Sequence, residues 1–200
     1  MIVPGPTHDA AWVVVETPLA LPALREFCAD VERLFRINPY LEFQTWQCSA
    51  ADSCHVKFRN LSNQQNVVLD LRIERASPDE FSVVYGDGIK ARTRFALEST
   101  AAGSRLTITD EYSRLSDAER AQRIDEVDKS LNAWGWALHE YLQHQQRWGG
   151  FAPWRWYMGR LWLPMTPRSR RITYMLIVLA AAELVLVVLG ATIYWIEFSN

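Results

Sequence analysis

The chain has 200 residues, 49% hydrophobic and 22% charged, with a net charge of −2. That length allows one domain with a substantial core plus an appendage, and no internal repeat or low-complexity run interrupts it. The charge balance argues against nucleic acid as a partner.

Residues 11–16 (AWVVVE) are β-branched and predict a first strand. In the following stretch, Leu21, Leu24, Phe27, Val31, Leu34 and Phe35 recur at helical offsets. Asp30 is placed to cap a second short helix, and Asn38-Pro39 to stop it. Short strands then alternate with turn signals: YLEFQTWQC, CHVKFRNL, NVVLDLRIER, FSVVY, IKARTRFALE and RLTITDEY. In the third, Val67, Leu69, Leu71 and Ile73 share one face. In the fifth, Ile89, Ala91, Thr93, Phe95 and Leu97 share a face, while Lys90, Arg92 and Arg94 take the other. One wet and one dry face suit an antiparallel sheet covered on one side.

The cover is a long helix from about Asp117. Ser116 and Glu119 form a capping box, and Ile124, Val127, Leu131, Trp134, Leu138 and Tyr141 make one apolar stripe. One sheet and one long amphipathic helix define an α+β layer arrangement.

The sequence changes character at residue 147. Residues 1–146 carry 15 Lys+Arg against 21 Asp+Glu, a net of −6. Residues 147–171 carry six arginines and no acid, a net of +6. Trp148, Trp154, Trp156, Tyr157 and Trp162 are interleaved with Arg155 and Arg160. Tryptophan rings rest at headgroup level and arginines meet lipid phosphates, so Trp154, Arg155, Trp156, Arg160 and Trp162 are the expected contacts with membrane lipid. A helix from Trp154 to Leu163 is expected there, bounded by prolines.

Residues 172–196 (ITYMLIVLAAAELVLVVLGATIYWI) hold a single charge, Glu183. At about 1.5 Å per residue these 25 residues reach roughly 37 Å, enough for a hydrocarbon core of about 30 Å. A single transmembrane helix is therefore expected. Arginines before it and none after favour a cytoplasmic N-terminal side. The start, MIVPGPTHDAAWVVVE, has no basic or apolar leader pattern, so no secretory signal is expected. Together these predict a single-pass, tail-anchored protein of a bacterial inner membrane. Glu183 lies near mid-bilayer, where a carboxylate costs about 2.5–3.5 kcal/mol. Ala180 and Gly190 share its helical face and are small enough for close approach. That face is expected to contact another helix, in a homo-oligomer or with a membrane-protein partner.

The order of elements, with ADVERLFRINPYLEFQTW at a helix-to-strand junction and GDGIKARTRFALESTAAGSRLTITDEY as a closing hairpin, resembles the START-like (SRPBCC) superfamily. Within it the chain is similar to the polyketide-cyclase-like and coenzyme-Q-binding groups. The resemblance covers about residues 10–146 and implies a helix-grip fold, a curved antiparallel sheet around a long C-terminal helix. An interfacial segment (147–171) and a transmembrane helix (172–196) follow. It also implies a hydrophobic ligand held between sheet and helix.

Strand alternation turns Asn60, Thr93, Asp110 and Tyr112 toward that interior, beside Leu71, Phe95 and Trp134; these are the candidate cavity residues. No catalytic constellation, metal site or cofactor motif is present: His139 and His144 are five apart, on different helix faces, and both are expected to be solvated. Cys28, Cys48 and Cys54 fit no zinc or redox motif. Cys48 and Cys54 flank one turn, but a cytoplasmic thiol pair is expected to stay reduced. The leading expectation is non-catalytic binding of a lipid, quinone or polyketide-like molecule. The rivals are a cyclase- or hydratase-like enzyme with Asp110 and Tyr112 as acid–base groups, and an accessory subunit of a membrane complex.

Overall fold

The computed structural model describes residues 10–88, 90–112 and 117–198, and from 117 to 129 only the helical backbone. The chain forms two compact units, Met1–Pro164 and Met165–Asn200.

In the first unit, β1 (Ala10–Thr17) is followed by α1 (Leu21–Ala29) and α2 (Val31–Ile37). Then come β2 (Leu41–Ala50), β3 (Ser53–Asn60), β4 (Gln65–Ser77), β5 (Glu80–Tyr85), β6 (Arg92–Thr100) and β7 (Gly103–Glu111). The long helix α3 spans Asp117–Trp148. A short α4 (Ala152–Tyr157) runs on into a π-helical turn, Met158–Trp162. The seven strands make one antiparallel sheet in the order β1-β7-β6-β5-β4-β3-β2. Every neighbour is a hairpin partner except β1, which pairs with β7 from Ala10↔Glu111 to Thr17↔Ser104.

The expected alternation is present. Leu69, Leu71 and Ile73 on β4 are buried, as are Thr93, Phe95 and Leu97 on β6 and Leu106, Ile108 and Asp110 on β7. Asp30 caps α2, its carboxylate accepting from the Arg33 amide at 3.0 Å. The capping residue expected for α3, Ser116, and the β6-face residue Ile89 lie outside the described residues, as do the side chains of Ile124 and Val127.

α3 lies on the sheet beside β1 and runs in the same direction. Gly135 faces Val13, and His139 Nδ1 meets the Glu16 carbonyl at 2.7 Å. Contrary to expectation, His139 is therefore half-buried and bonded rather than solvated. Leu131, Trp134, Leu138 and Tyr141 turn inward and are buried, each contributing about 1.5–3 kcal/mol by leaving water. Gly135 is what lets helix and strand approach, because a Cβ there would collide with both γ-carbons of Val13. Gly135→Val should lift α3 from β1 and cost about 1–3 kcal/mol, despite a better helix former at that site. A thermal melt followed by circular dichroism would read this, and an unchanged midpoint would contradict the packing.

Two sequence expectations need correction. The strand expected from Ile89 begins only at Arg92, so Lys90 is not on the wet face with Arg92 and Arg94. Gly86, Asp87, Gly88, Lys90 and Ala91 lie outside the strands, with Gly88 at φ 100, and this frees Lys90 to turn inward. Second, Cys48 and Cys54 are not free thiols but a disulfide. Their residues are direct partners across β2 and β3 with Cα atoms 3.9 Å apart, so pairing of the strands itself brings the sulfurs together.

The second unit consists of α5 (Pro167–Phe198), a helix long and apolar enough to cross a membrane. It begins five residues before the apolar run and so includes Arg168, Arg170 and Arg171. Ala180, Glu183 and Gly190 lie along it and are exposed.

Candidate functional site: an apolar cavity and its polar end

The first unit contains a cavity of about 210 Å3 between the β2–β5 part of the sheet and helices α2 and α3. Its walls are apolar: Phe35 from α2, Phe43 from β2, Val56 and Phe58 from β3, Leu69 and Leu71 from β4, and Trp134 from α3. The aromatic rings brace one another. Phe35 lies 5.1 Å from Trp134 and Phe43 lies 5.2 Å from Phe58, centre to centre. The Trp134 indole N–H donates to the Leu34 carbonyl at 2.9 Å, which fixes that wall in place.

Polar residues gather at one end. Asn60, Ser62, Asn63 and Gln65 come from the β3–β4 turn, Asp87 and Lys90 from the β5–β6 loop, and Ser130 from α3. Asn60 Oδ1 accepts from the backbone and hydroxyl of Ser62 at 3.0 and 2.8 Å, which shapes this rim.

A polar relay runs inward from the wall: Lys90, Tyr85 and Tyr112 line the cavity, and Thr93 and Asp110 lie behind them. Asp110 is fully buried, and its carboxylate accepts from Lys90 Nζ at 2.5 Å, Thr93 Oγ1 at 2.5 Å and the Tyr112 hydroxyl at 3.3 Å. The Tyr85 hydroxyl is 2.8 Å from Thr93 Oγ1. Burial pushes the Tyr85 phenol far above its ordinary range, and the nearby Asp110 carboxylate adds to this. Tyr85 is thus neutral at any physiological pH, able to donate and accept. The Lys90 side chain is 31% exposed and also lines the cavity, so it joins the relay to the opening.

Of the seven candidate cavity residues, Asn60, Leu71, Tyr112 and Trp134 line the space. Thr93, Phe95 and Asp110 are buried on the same side of the sheet but stand outside the lining. Lys90 and Tyr85 escaped the sequence reading. The available signal for Lys90 was Asp110 itself, since a carboxylate turned inward requires a cation near it.

The Trp/Arg segment divides in two. Trp154 and Trp162 are half-buried against the domain, 5.9 Å from His144 and 5.7 Å from Tyr141 respectively. Arg155, Trp156 and Arg160 are exposed. This segment packs on the C-terminal end of α3, whereas the polar rim lies beside the middle of that helix. Ser130 is at the rim, and His144, 14 residues or about 21 Å of helix rise later, is at the tryptophans. β1 registers the same separation. Ala10 pairs with Glu111 near the rim, while Glu16 holds His139 toward the tryptophan end.

Among the described residues, no cluster of His, Cys, Asp or Glu could hold a metal ion. Cys28, the remaining free cysteine, is buried, and burial pushes its thiol up to about 12. At neutral pH roughly one such thiol in 10⁵ is ionised, so Cys28 should resist alkylating reagents until the chain is denatured. Rapid labelling of the folded protein at pH 7, with the site mapped to Cys28, would contradict its burial.

No family model and no curated protein sequence matches the chain. Solved structures do. A START superfamily protein from Mycobacterium smegmatis superposes with a TM-score of 0.53 at 12% identity, covering 67% of this chain and 97% of that one. An AHSA1-like protein from Aeromonas hydrophila gives 0.46 at 12% identity, covering 68% and 96%. The M. smegmatis likeness shows the fold: the first unit has a START-like α+β fold, a curved seven-stranded antiparallel sheet holding a long helix. The apolar helix α5 follows it in the chain.

Proposed function

We propose that the chain is a membrane-tethered binding protein for a small hydrophobic molecule, a lipid, quinone or polyketide-like compound, held at the cytoplasmic face of a bacterial inner membrane. The observation that carries this reading is the apolar, aromatic-walled cavity within a START-like domain. Its volume, about 210 Å3, is below the roughly 300–1,000 Å3 of pockets for drug-sized ligands. It therefore suits a ring system or one end of a longer chain. A tether makes sense for such cargo, because apolar molecules partition into the bilayer from which α5 would suspend the domain.

The buried relay weighs against the enzymatic rival. Asp110 stands outside the cavity lining and is held by three donors, which disfavours it as a direct acid or base, while Tyr112, the other candidate of that rival, does line the cavity. In the accessory-subunit reading the helix face at Ala180, Glu183 and Gly190 would meet a partner. Unchanged cross-linking in Glu183→Leu would remove that contact.

The binding reading is tested by extracting the purified full-length chain with organic solvent and analysing the extract by mass spectrometry. An apolar compound in near-stoichiometric amount is expected from the unaltered protein. It should be lost from Val56→Phe, which fills the cavity from its floor. A folded protein that yields nothing, and binds no quinone supplied in detergent micelles, would sink the proposal.

A further inference from the structure

Among the described residues of the first unit, Trp12, Val14, Val68 and Trp136 are exposed on other elements, and the remaining exposed large apolar residues fall in one short stretch, 148–161. Trp148, Phe151 and Trp156 are 44%, 58% and 61% exposed, within nine positions of one another. On the opposite side of the same segment Trp154, Tyr157, Met158 and Trp162 are packed against the domain. That spacing of three, one and four residues gives the segment one face for the core and one for the outside. The outer face also carries Arg155 and Arg160, with Arg147 just before it. No carboxylate occurs from residue 147 to 171. Arg155 is turned back to cap the carbonyls of Gly149 and Gly150 at 3.1 and 3.4 Å, which holds the loop that presents Phe151.

A soluble surface rarely gathers three large aromatic side chains beside uncompensated arginines. We infer that this face docks on an anionic bilayer, its rings at headgroup level and its arginines on lipid phosphates, so that the cavity mouth points away from the membrane. Charge selects the occupant: arginines without acids complement a phosphate-rich surface, and amphipathic rings suit the headgroup layer. Orientation follows from α3, which places the docking face at its C-terminal end and the polar rim beside its middle, about 20 Å away along the helix. The domain thus stands on the membrane and offers its opening to the aqueous side. Cargo would pass between the cavity and a soluble or protruding acceptor rather than through a mouth pressed on lipid. This rests on the membrane-tethered reading but not on what fills the cavity.

Site-directed spin labels on the full-length chain in vesicles of phosphatidylcholine and phosphatidylglycerol test it. Gly150→Cys places a label in the docking face and Asp87→Cys one at the mouth, both at exposed positions. The unmutated chain serves as the blank. The 150 label should relax faster with oxygen than with a water-soluble nickel chelate, and the 87 label should show the reverse order. With Arg155→Glu/Arg160→Glu, the 150 label should shift to nickel accessibility while the protein still floats with the vesicles. Two water-accessible labels on floating protein would overturn docking and leave the tether standing, as would a face that binds only another protein. A lipid-immersed 87 label would overturn the orientation. Protein that fails to float would remove both docking and tether.

Discussion

Lys90→Met is expected to destabilise the domain by about 3–5 kcal/mol, the largest loss among the single substitutions considered. The reason is an asymmetry within the Lys90–Asp110 pair. Asp110 is fully enclosed, whereas Lys90 keeps 31% of its side chain in contact with solvent. Without Lys90, a buried carboxylate loses its only cation among the described residues within hydrogen-bond reach, leaving two hydroxyls to hold it. Without Asp110, the lysine can swing outward and recover water. Asp110→Ala should accordingly cost less, about 1–3 kcal/mol, mostly through the hydroxyls of Thr93 and Tyr112. The double replacement Lys90→Met/Asp110→Leu should recover much of the loss, because an apolar pair leaves no buried charge. Chemical denaturation of the detergent-solubilised chain reads all three variants. Equal losses for the two single variants would show that the pair does not behave as a buried carboxylate served by a mobile lysine.

The second large effect concerns membrane association. The full-length chain should resist both high salt and alkaline carbonate, since a helix of this length and apolarity inserts with no practical return. A chain ended after Pro164 keeps the whole first unit, cavity included. It should bind vesicles only through its arginine- and tryptophan-bearing face and be washed off by salt, because contacts with phosphates weaken as the Debye length shrinks from about 10 Å at 0.1 M to about 3 Å at 1 M. Fractionation before and after salt and carbonate washes distinguishes these states. A full-length chain released by carbonate would count against a transmembrane α5.

The side of the membrane is a separate question on which two features pull apart. The arginines ahead of α5 favour an N-terminal domain in the cytoplasm, while a disulfide is sustained more readily in an oxidising compartment. The arginines act while the chain is inserted, whereas the cysteine pairing follows from β2–β3 register whatever the surroundings. The cytoplasmic placement stands as a proposal, and the Cys48–Cys54 disulfide is the feature that weighs against it.

Regular alternation made the sheet legible. Strands such as β4, with Leu69, Leu71 and Ile73 against Asp70 and Arg72, declare both their conformation and their buried face. α3 was legible for the same reason, its stripe being long enough to outweigh local ambiguity. The apolar cavity wall follows from those faces, so Leu71 and Trp134 could be named in advance. Periodicity fails where the chain leaves regular structure. Alternation carried back to Ile89 turns Lys90 outward, although Lys90 precedes the strand and turns in toward Asp110. The tryptophan segment posed a different difficulty. Composition marked it as interfacial, but only the spacing of Trp154, Tyr157, Met158 and Trp162 tells core-facing rings from outward ones.

The order of strands also says when the parts of the domain can assemble. Six neighbouring pairs make up the sheet, and five of them join segments adjacent in sequence, which need only short loops to close. The pairing of β1 with β7 must instead wait until nearly the whole sheet has been made, and it closes a loop of over 80 residues, from Thr17 to Ser104. During synthesis, then, Ala10–Thr17 emerges first yet finds its partner last. Until it does, α3 has no strand to lie along, and the cavity lacks the Trp134 wall. By this order the cavity is enclosed late in folding, when β1 and α3 have both found their places.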